Sequence, residues 1–332
     1  MLSKRVVLIA DRIKDHNNAT LQSNDLEVVA DNYFIPLLHA LKNISPQVIH
    51  YSSLTAFTRN IESHKNDVIL SIWSGTGSRN RRILVPAICE ANNIIYVGAD
   101  AYLQGLAQDK DLSKLFLSKY GIKSPKSVLI YSYNDYNALE RLKYPIIIKP
   151  NFEGGSIGIF NNNVVYSASD AALLSNELLQ TYCPLLAEEY ISGEEISFCI
   201  SGTEQEIIVF EIIRQYINGN TYFNKEIMGA EYKKIFSEQQ LWDNVTNQIP
   251  DKEKKQIIDL YFHLGKAELI RIDGRLNASG FYAIELSTDV GISVMSTMTQ
   301  AFESAGYTYE EMLETIINNA IRSWEYQNAN RL

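Results

Sequence analysis

Three short apolar runs near the start of the chain predict buried strands. They are VVLIA, VILSI and IIYV, within residues 5–10, 68–72 and 94–97. Segments with helical spacing separate them, such as the apolar stripe between Asn32 and Leu41. Strands that alternate with helices are typical of a parallel α/β sheet. No G-x-G-x-x-G turn follows the first strand, so nothing supports a dinucleotide-binding domain.

The rest of the chain alternates in the same way up to a long polar stretch. The apolar spacing predicts helices at 111–120 (ending at Gly121), 135–143, 252–269 and 309–325. It predicts strands at 127–131, 146–150, 163–166, 185–191, 196–202 and 207–213, and a strand pair at 271–276 and 281–286. Residues 214–250 are polar and poorly periodic, which indicates a functional loop or lid.

Composition narrows the class of protein. The 332 residues predict two or three domains, and the 46% hydrophobic and 21% charged content is ordinary for a soluble enzyme. The net charge of −9 argues against sequence-independent nucleic-acid binding, which needs a basic surface. No apolar stretch approaches the ~20 residues of a membrane span, and the N-terminal apolar run is too short for a secretion signal. Cys89, Cys183 and Cys199 lack metal-ligand spacing and fit a reducing compartment, so a cytoplasmic location is expected.

A lysine followed by a glycine-rich turn is the first candidate for chemistry. Lys149 stands near the end of the predicted strand IIIKP, and EGGSIG follows at 153–158. Small residues allow backbone N–H groups to surround a polyphosphate, and the lysine adds fixed positive charge. The alternative is a flexible hairpin loop with a chance lysine, and this motif alone does not separate the two.

The second candidate is a pair of acidic strands. Alternation places Arg271 and Asp273 on one face of their strand, and Glu285 and Ser287 on one face of the next. If the strands pair through the turn at 277–280, two carboxylates converge beside one guanidinium. Mg²⁺ takes carboxylate and phosphate oxygens, and an arginine stabilises charge on a transferring phosphoryl group. The alternative is a surface ladder of opposite charges, the more common arrangement for such a pattern by itself.

The third candidate is LLAEEYISGEE at 185–195, an apolar strand that runs into acidic residues. Its backbone could bind the edge of an adenine while a carboxylate holds ribose hydroxyls. The alternative is an edge strand with solvated glutamates.

In this order the motifs resemble the ATP-grasp superfamily, most closely its D-alanine–D-alanine ligase branch. The matching stretches are LAQDKDLSKLFLSKYGIKSPKSVLI, YPIIIKPNFEGGSIGI, LAEEYISGEEISFCISG, RIDGRLNASGFYAIELSTDVGIS and AGYTYEEMLETIINNAI. Five ordered blocks are far more specific than one. The resemblance implies an α/β fold with an α+β C-terminal part and ATP held between two sheets. The implied domains are an N-terminal α/β domain (1–105), a central lid domain (106–186) and a C-terminal catalytic domain (187–332).

The resemblance also implies roles for individual residues. For ATP, it implies phosphate-binding Lys110 and Lys149, the phosphate loop Gly154, Gly155 and Ser156, the adenine-binding Glu188, Glu189, Tyr190 and Ile191, and the ribose-binding Glu195. For Mg²⁺ and catalysis, it implies the ligands Asp273, Glu285 and Ser287, the transition-state residue Arg271, Ser156 of the loop, the backbone N–H of Gly291, and Ser296 for the second substrate.

The implied reaction proceeds in two steps. A carboxylate takes the γ-phosphoryl group of ATP to give an acyl phosphate, and an amine then displaces phosphate. An acyl phosphate hydrolyses easily, so a lid that excludes water is expected. The segment 214–250 is the candidate lid, with Lys225, Lys233 or Lys234 reaching the phosphates.

The chain departs from the family in its substrate-binding segments. Where the family carries H-G-x-x-G-E-D-G, residues 73–80 read WSGTGSRN. The first turn lacks its substrate-binding glutamate, for which Glu27 is a displaced candidate, and Gly155 replaces a serine. Ser287 stands where the family usually has asparagine; its hydroxyl can still bind Mg²⁺, and Asp289 is a candidate to compensate.

These departures change the expected substrate. They remove an acid and add Arg79, Arg81 and Arg82, so the activated carboxylate is expected to lack an α-amino group or to carry a second acid. Trp73 and Arg79 are the candidate substrate residues. The alternative is that Arg79 is a solvated loop charge.

The sequence thus predicts an ATP- and Mg²⁺-dependent carboxylate–amine ligase that acts on small molecules, in the biosynthesis of a specialised metabolite. Two alternatives remain, a D-alanine–D-alanine ligase proper and an inactive ATP-binding regulatory module. The family often forms dimers, so a homodimer is an open expectation.

Overall fold

The computed structural model describes residues 2–12, 29–75, 78–216, 219–227 and 242–329. These residues form three β-sheets, one after another along the chain, with helices packed against them. Within this part of the chain, no helix combines the length and the hydrophobicity needed to cross a membrane.

The first sheet is parallel, in the order β2-β1-β3-β4. Its strands are β1 (Val6–Ile9), β2 (Val48–Tyr51), β3 (Val68–Ser71) and β4 (Ile95–Tyr96). Its helices are α1 (Asp31–Ile44), α2 (Leu54–Arg59) and α3 (Leu84–Ala91), with 3₁₀ turns at Ile61–His64 and Arg81–Ile83. The three predicted strands are confirmed. The sequence pattern missed β2, whose side chains are only half-buried or exposed at the sheet edge.

Two helices lead into the second sheet, α4 (Ala101–Gln108) and α5 (Lys110–Ser118). Asp100 and Asp109 cap them, with side chains that accept the N–H groups of Leu103 and Leu112 at 2.7 and 3.1 Å. The sheet is antiparallel, in the order β5-β8-β6-β7. Its elements are β5 (Ser127–Ile130), β6 (Ile146–Pro150), β7 (Val164–Val165), β8 (Leu185–Glu189), α6 (Ala168–Leu178) and 3₁₀ turns at Tyr133–Arg141 and Asn161–Asn163.

The third sheet is antiparallel, in the order β12-β10-β9-β13-β14, with β11 paired to β9. Its strands are β9 (Gly193–Gly202), β10 (Ile207–Gln215), β11 (Tyr222–Phe223), β12 (Trp242–Asn244), β13 (Leu269–Asn277) and β14 (Gly280–Ser287). The helices are α7 (Asp251–Tyr261), α8 (Thr297–Ser304) and α9 (Tyr309–Ala329), with a 3₁₀ turn at Thr246–Gln248.

Two helix predictions were wrong in detail. The segment 135–143 forms the 3₁₀ turn Tyr133–Arg141 rather than an α-helix. The helix predicted at 252–269 ends at Tyr261, and β13 begins at Leu269. Gly265 lies between them with a positive φ of 84°, which turns the chain. The division of the chain at residues 105 and 186 stays a prediction.

A β-bulge interrupts the pairing of β13 with β14. Asp273 lies directly opposite Glu285, but the next residue, Gly274, lies opposite Ala283, so Ile284 is the extra residue. A Cβ atom at Gly274 would stand 2.2 Å from the carbonyl oxygen of Tyr282 and 2.5 Å from the ring of Phe281. Only glycine fits there, and the bulge sets the direction of the side chains that follow it.

Candidate active site

Charged side chains from the second and third sheets face one cleft. Lys149 is the next-to-last residue of β6 and is 3% exposed. Asp273 and Glu285 lie opposite each other on β13 and β14. Lys110, at the first turn of α5, joins the two sides, because its Nζ lies 3.2 Å from Glu285 and donates to the carbonyl oxygen of Glu153. The carboxylate pair and the two lysines therefore belong to one site.

The Asp273 carboxylate is fixed by its neighbours. Its Oδ1 accepts the hydroxyl of Ser197 at 2.6 Å and Arg271 Nε at 2.7 Å. Ser287 Oγ stands 3.4 Å from its other oxygen. Alternation had predicted Arg271 and Asp273 on one face, and the structure places them in contact. Three oxygen-bearing side chains (Asp273, Ser287 and the facing Glu285) thus meet at the end of the strand pair.

Glu285 is held in its anionic form. Burial works to raise the pKa of its carboxyl, but the ammonium groups of Lys110 and Lys149 outweigh burial and lower the pKa to about 2. Among the described residues no set of three His, Cys, Asp or Glu side chains is arranged around one point as metal ligands. Mg²⁺ in a nucleotide site needs only one or two carboxylates, since phosphates and water complete its shell. The donors present fit that ion.

Three lysines at the cleft are paired with only two glutamates. Glu188 lies between Lys149, whose Nζ is 2.5 Å from its Oε1, and Lys114, which contacts its other oxygen. With Lys110 paired to Glu285, these five groups include one more ammonium than carboxylate. Burial, together with the neighbouring ammonium groups, lowers the pKa of Lys149 to about 7 and also lowers that of Lys114. An added anion would relieve this excess of positive charge.

The adenine-binding candidates lie at the end of β8 and in the link to β9. Glu188 is 2% exposed because β8 lies between β5 and β6, so the alternative of an edge strand with solvated glutamates was wrong for it. Glu189 accepts the N–H of Lys143 at 2.9 Å, and Tyr190 donates its hydroxyl to the carbonyl oxygen of Glu226 at 2.6 Å. Ile191 is half-buried beside them.

The ribose candidate Glu195 extends from β9 towards β13. Its carboxylate lies 2.6 Å from Nε of Arg275, which directly faces it on β13. Burial raises the pKa of Glu195, while Arg275 opposes the change.

The glycine-rich loop turns sharply above Lys149. Gly155 and Ser156 both have positive φ, 59° and 66°, and Gly158 follows at 70°. Serine in this region of φ is uncommon and costs about 1 kcal/mol, a strain that clusters at binding sites. Gly155 is exposed, and Gly154 and Ser156 are half-buried, so the turn is partly open to solvent.

The substrate candidates lie in the segment after β3. Trp73 lines a cavity of about 30 Å³ together with Arg81, Arg82, Gln104 and Asp289. Arg79 is exposed, with its guanidinium carbon 5.3 Å from the centre of the Phe152 ring. Arg81 pairs with Glu153 and Arg82 with Asp289, so both arginines are engaged with other parts of the protein. Asp289 was a candidate metal ligand, but its carboxylate binds Arg82 instead.

The loop after β14 carries the last two candidates. Gly291 precedes Ile292, whose N–H is accepted by the hydroxyl of Tyr33 at 2.8 Å and whose carbonyl oxygen accepts the hydroxyl of Tyr309 at 2.7 Å. Ser296 is the N-cap of α8 and accepts the N–H of Thr299 at 3.2 Å. The start of α8 can therefore receive an anion.

The candidates for the phosphate-reaching lysine and for the first-turn glutamate stay predictions. Lys225 is exposed, with its ammonium 5.9 Å from the centre of the Tyr166 ring. Lys233, Lys234 and Glu27 fall outside the described part of the chain.

The sequence analysis missed Lys114 and Ser197, which contact Glu188 and Asp273. Lys114 stands four residues after Lys110, so both lie on one face of a helix, and this spacing could have found it. Ser197 carried no comparable signal, because its role depends on the pairing of β9 with β13.

Solved structures share this arrangement of sheets over nearly the whole chain. A crystal structure titled D-alanine–D-alanine ligase from Bacillus anthracis matches 98% of this chain and 100% of its own, with a TM-score of 0.72 and 19% identity. VanG D-Ala:D-Ser ligase from Enterococcus faecalis matches 97% of this chain and 100% of its own, with a TM-score of 0.66 and 18% identity. The predicted ATP-grasp fold is thus confirmed.

Sequence comparisons give the family. The profile described as D-ala D-ala ligase C-terminus matches residues 121–318, and the chain belongs to that family. A D-alanine–D-alanine ligase of Pediococcus pentosaceus is 26% identical over 251 residues, which are 75% of this chain and 68% of that protein. Another, of Fervidobacterium nodosum, is 26% identical over 278 residues, 79% of this chain and 84% of that protein.

Proposed function

We propose that the protein is an ATP-dependent carboxylate–amine ligase that forms an amide bond and releases ADP and phosphate. One observation carries the proposal. Buried lysines on the second sheet and α5 meet a carboxylate pair on the third sheet, with Lys110 in contact with both sides of the cleft. This combination of excess positive charge and paired hard oxygen donors suits a triphosphate bound with Mg²⁺.

The residues that would hold ATP and Mg²⁺ follow from their positions. Lys110, Lys149 and the loop 154–156 would bind phosphates, and Asp273, Glu285 and Ser287 would bind the metal ion. The strand 188–191 and Glu195 would bind adenosine, as in the family's pattern. Bound ATP and Mg²⁺ would supply a γ-phosphoryl group that converts a carboxylate into an acyl phosphate open to attack by an amine.

The protein's own side chains have distinct tasks in this scheme. Arg271, fixed by its contact with Asp273, places a guanidinium beside the carboxylate pair and can balance charge that develops on the transferring group. The N–H of Gly291 can donate to an oxyanion on the substrate. Ser296 and the first turn of α8 can hold the carboxylate of an amino acid amine.

The first substrate is where this chain differs from the family. Arg81 and Arg82 are both ion-paired, which weakens the case for a second acid on the substrate. We therefore favour a small carboxylate without an α-amino group, bound near Trp73. Such a substrate fits biosynthesis of a specialised metabolite by a cytoplasmic enzyme. A homodimeric assembly stays a prediction.

Two other functions remain candidates. The relatives named D-alanine–D-alanine ligase favour that activity, and Ser287 in place of asparagine favours an ATP-binding module without catalysis. An assay of ATP-dependent phosphate release separates the three. Purified protein is given Mg·ATP and a panel of carboxylates and amines, D-alanine included, with Asp273→Asn protein as the control.

We expect release with a carboxylate that lacks an α-amino group, and release from the control that is lower by about 100-fold or more. Turnover with D-alanine alone would make it a D-alanine–D-alanine ligase. ATP binding without release for any pair would favour the regulatory module and overturn the ligase proposal.

A further inference from the structure

The arginines after β3 all contact segments that flank the candidate site. Arg81 Nη2 lies 2.9 Å from the carboxylate of Glu153, the residue before the glycine loop. Arg82 pairs with Asp289, between Ser287 and Gly291. Arg79 stands over Phe152. The segment after β3 therefore contacts both the residues before the glycine-rich loop and the loop that follows β14.

Arg81 is the fixed member of this set. It is 1% exposed and lies in the 3₁₀ turn Arg81–Ile83. A Cβ atom at Gly75 would stand 3.0 Å from the Cβ of Arg81 and 2.9 Å from the ring of Trp73, so the backbone packs closely here. A buried guanidinium is costly without its carboxylate, and the Arg81–Glu153 contact is therefore held strongly.

Two hydrogen bonds hold Glu153 in place. Arg81 binds its carboxylate, and Lys110 donates to its carbonyl oxygen. The preceding carbonyl oxygen, of Phe152, accepts from Gln108. The positive-φ turn begins two residues later at Gly155. Any shift of Glu153 would thus move the glycine-rich loop at 154–158, the candidate phosphate-binding backbone.

We propose that Arg81 and Arg82 are positioning residues. Arg81 holds the glycine-rich segment 153–158, here called the nucleotide loop, through Glu153, and Arg82 holds the 288–291 loop through Asp289. Segment 79–82 then acts as a clasp, which means that it links the cavity beside Trp73 to the nucleotide loop. It does not serve as a binding site for an acidic substrate. Because such coupling is reciprocal, occupation of one site changes the affinity of the other. This proposal rests on the proposed function for the identity of the nucleotide.

The test compares four proteins by two measurements. They are the wild type, Arg81→Gln, Glu153→Gln and the double variant. The measurements are the dissociation constant of Mg·ATP, by calorimetry, and amide hydrogen exchange of residues 151–160. We expect each single change to weaken ATP binding about tenfold and to speed exchange in the loop, and the double variant to be no worse than either.

Arg5→Gln is the matched control. Arg5 directly precedes β1 and also pairs with a carboxylate, that of Asp67 at 2.8 Å. Its hydrogen bonds within the described part of the chain go to Ser63 and Asp67, not to residues 151–160. Its loss should leave ATP affinity and loop exchange unchanged. If Arg81→Gln fails to fold, Glu153→Asp keeps the charge and withdraws the carboxylate by one methylene.

The outcomes separate the two proposals. Wild-type ATP affinity and loop exchange in Arg81→Gln, or in Glu153→Asp where it is needed, would overturn the clasp and leave the ligase proposal intact. A wild type that does not bind Mg·ATP would instead overturn the proposed function. Additive losses in the double variant would show that the two residues act separately, which also contradicts the clasp.

Discussion

On the nucleotide side of the cleft, the candidate side chains come from strands and from a helix start. Lys149 lies near the end of β6, Asp273 and Glu285 face each other on β13 and β14, and Lys110 begins α5. On the substrate side, Trp73 and Asp289 come from segments between regular elements. A strand fixes which way its side chains point, whereas a loop depends on contacts with distant parts of the chain. Binding of ATP can thus be retained while the substrate changes.

The largest effect is expected on the nucleotide side. Asp273→Asn or Glu285→Gln should reduce turnover by about 100- to 1000-fold, because each removes the negative charge of a proposed metal ligand from a preorganised site. Phosphate release at rising Mg²⁺ concentration measures it, and the half-saturating concentration should increase. Glu206→Gln is the control, an exposed carboxylate that pairs with Arg322. Variants with wild-type turnover would remove the carboxylate pair from the mechanism.

A substitution at the β-bulge is a second test of the nucleotide side of the cleft. Gly274→Ala places a Cβ against the Tyr282 carbonyl and the Phe281 ring, so unfolding free energy should fall by about 1–3 kcal/mol. Turnover should fall as well, since Glu285 follows the bulge. Denaturant unfolding measures the change.

Gly105→Ala is the matched control for this change. Gly105 lies inside α4, where the nearest atom to an added Cβ is the Ile83 side chain at 3.5 Å. Alanine favours helix over glycine by about 1 kcal/mol, so this variant should be as stable as the wild type or more so. Equal stability of the two variants would mean that the bulge tolerates a side chain.

The sequence predicted the nucleotide side of the cleft better than the substrate side. Period-two alternation was enough to place Arg271 with Asp273, and Glu285 with Ser287, on one face of each strand, because that signal is local. Regular pairing from the turn at 277–280 would have set Asp273 opposite Ile284, and the bulge shifts the register by one residue so that Asp273 faces Glu285. Alternation did not reveal the bulge, which depends on the Phe281 ring packing over Gly274. The pairing of Arg81 with Glu153 joins two sheets far apart in sequence, and no local pattern encodes it.

The charge excess around Lys149 predicts a pH dependence. Its pKa is about 7 in the free protein, and phosphates nearby would raise it. Below pH 7 the ammonium is present with and without ATP, so affinity is greatest there. Above pH 7 binding must take up a proton, and affinity should fall by up to about tenfold per pH unit. Calorimetry of Mg·ATP between pH 6 and 9, run in about unit steps, measures this slope.

Lys149→Arg is the control for this dependence, because a guanidinium does not titrate in that range. Lys114 also has a lowered pKa, so Lys114→Arg tests its share. A slope that persists in both variants would assign the titration to another group, such as the nucleotide phosphate itself.

The smallest effect is expected on the substrate side, at Arg79. Its exposed guanidinium stacks over Phe152, a contact worth about 0.5–1 kcal/mol, so Arg79→Met should change the KM of the carboxylate by no more than about fivefold. Arg59→Met, at the exposed end of α2, is the control for loss of a surface charge. If Arg79 instead bound the substrate carboxylate directly, its removal would break a charge-assisted hydrogen bond, and KM would rise well beyond that range. A large rise in KM that is confined to Arg79→Met would therefore show that Arg79 binds the substrate. The substrate side of the cleft would then recognise charge, as the nucleotide side does.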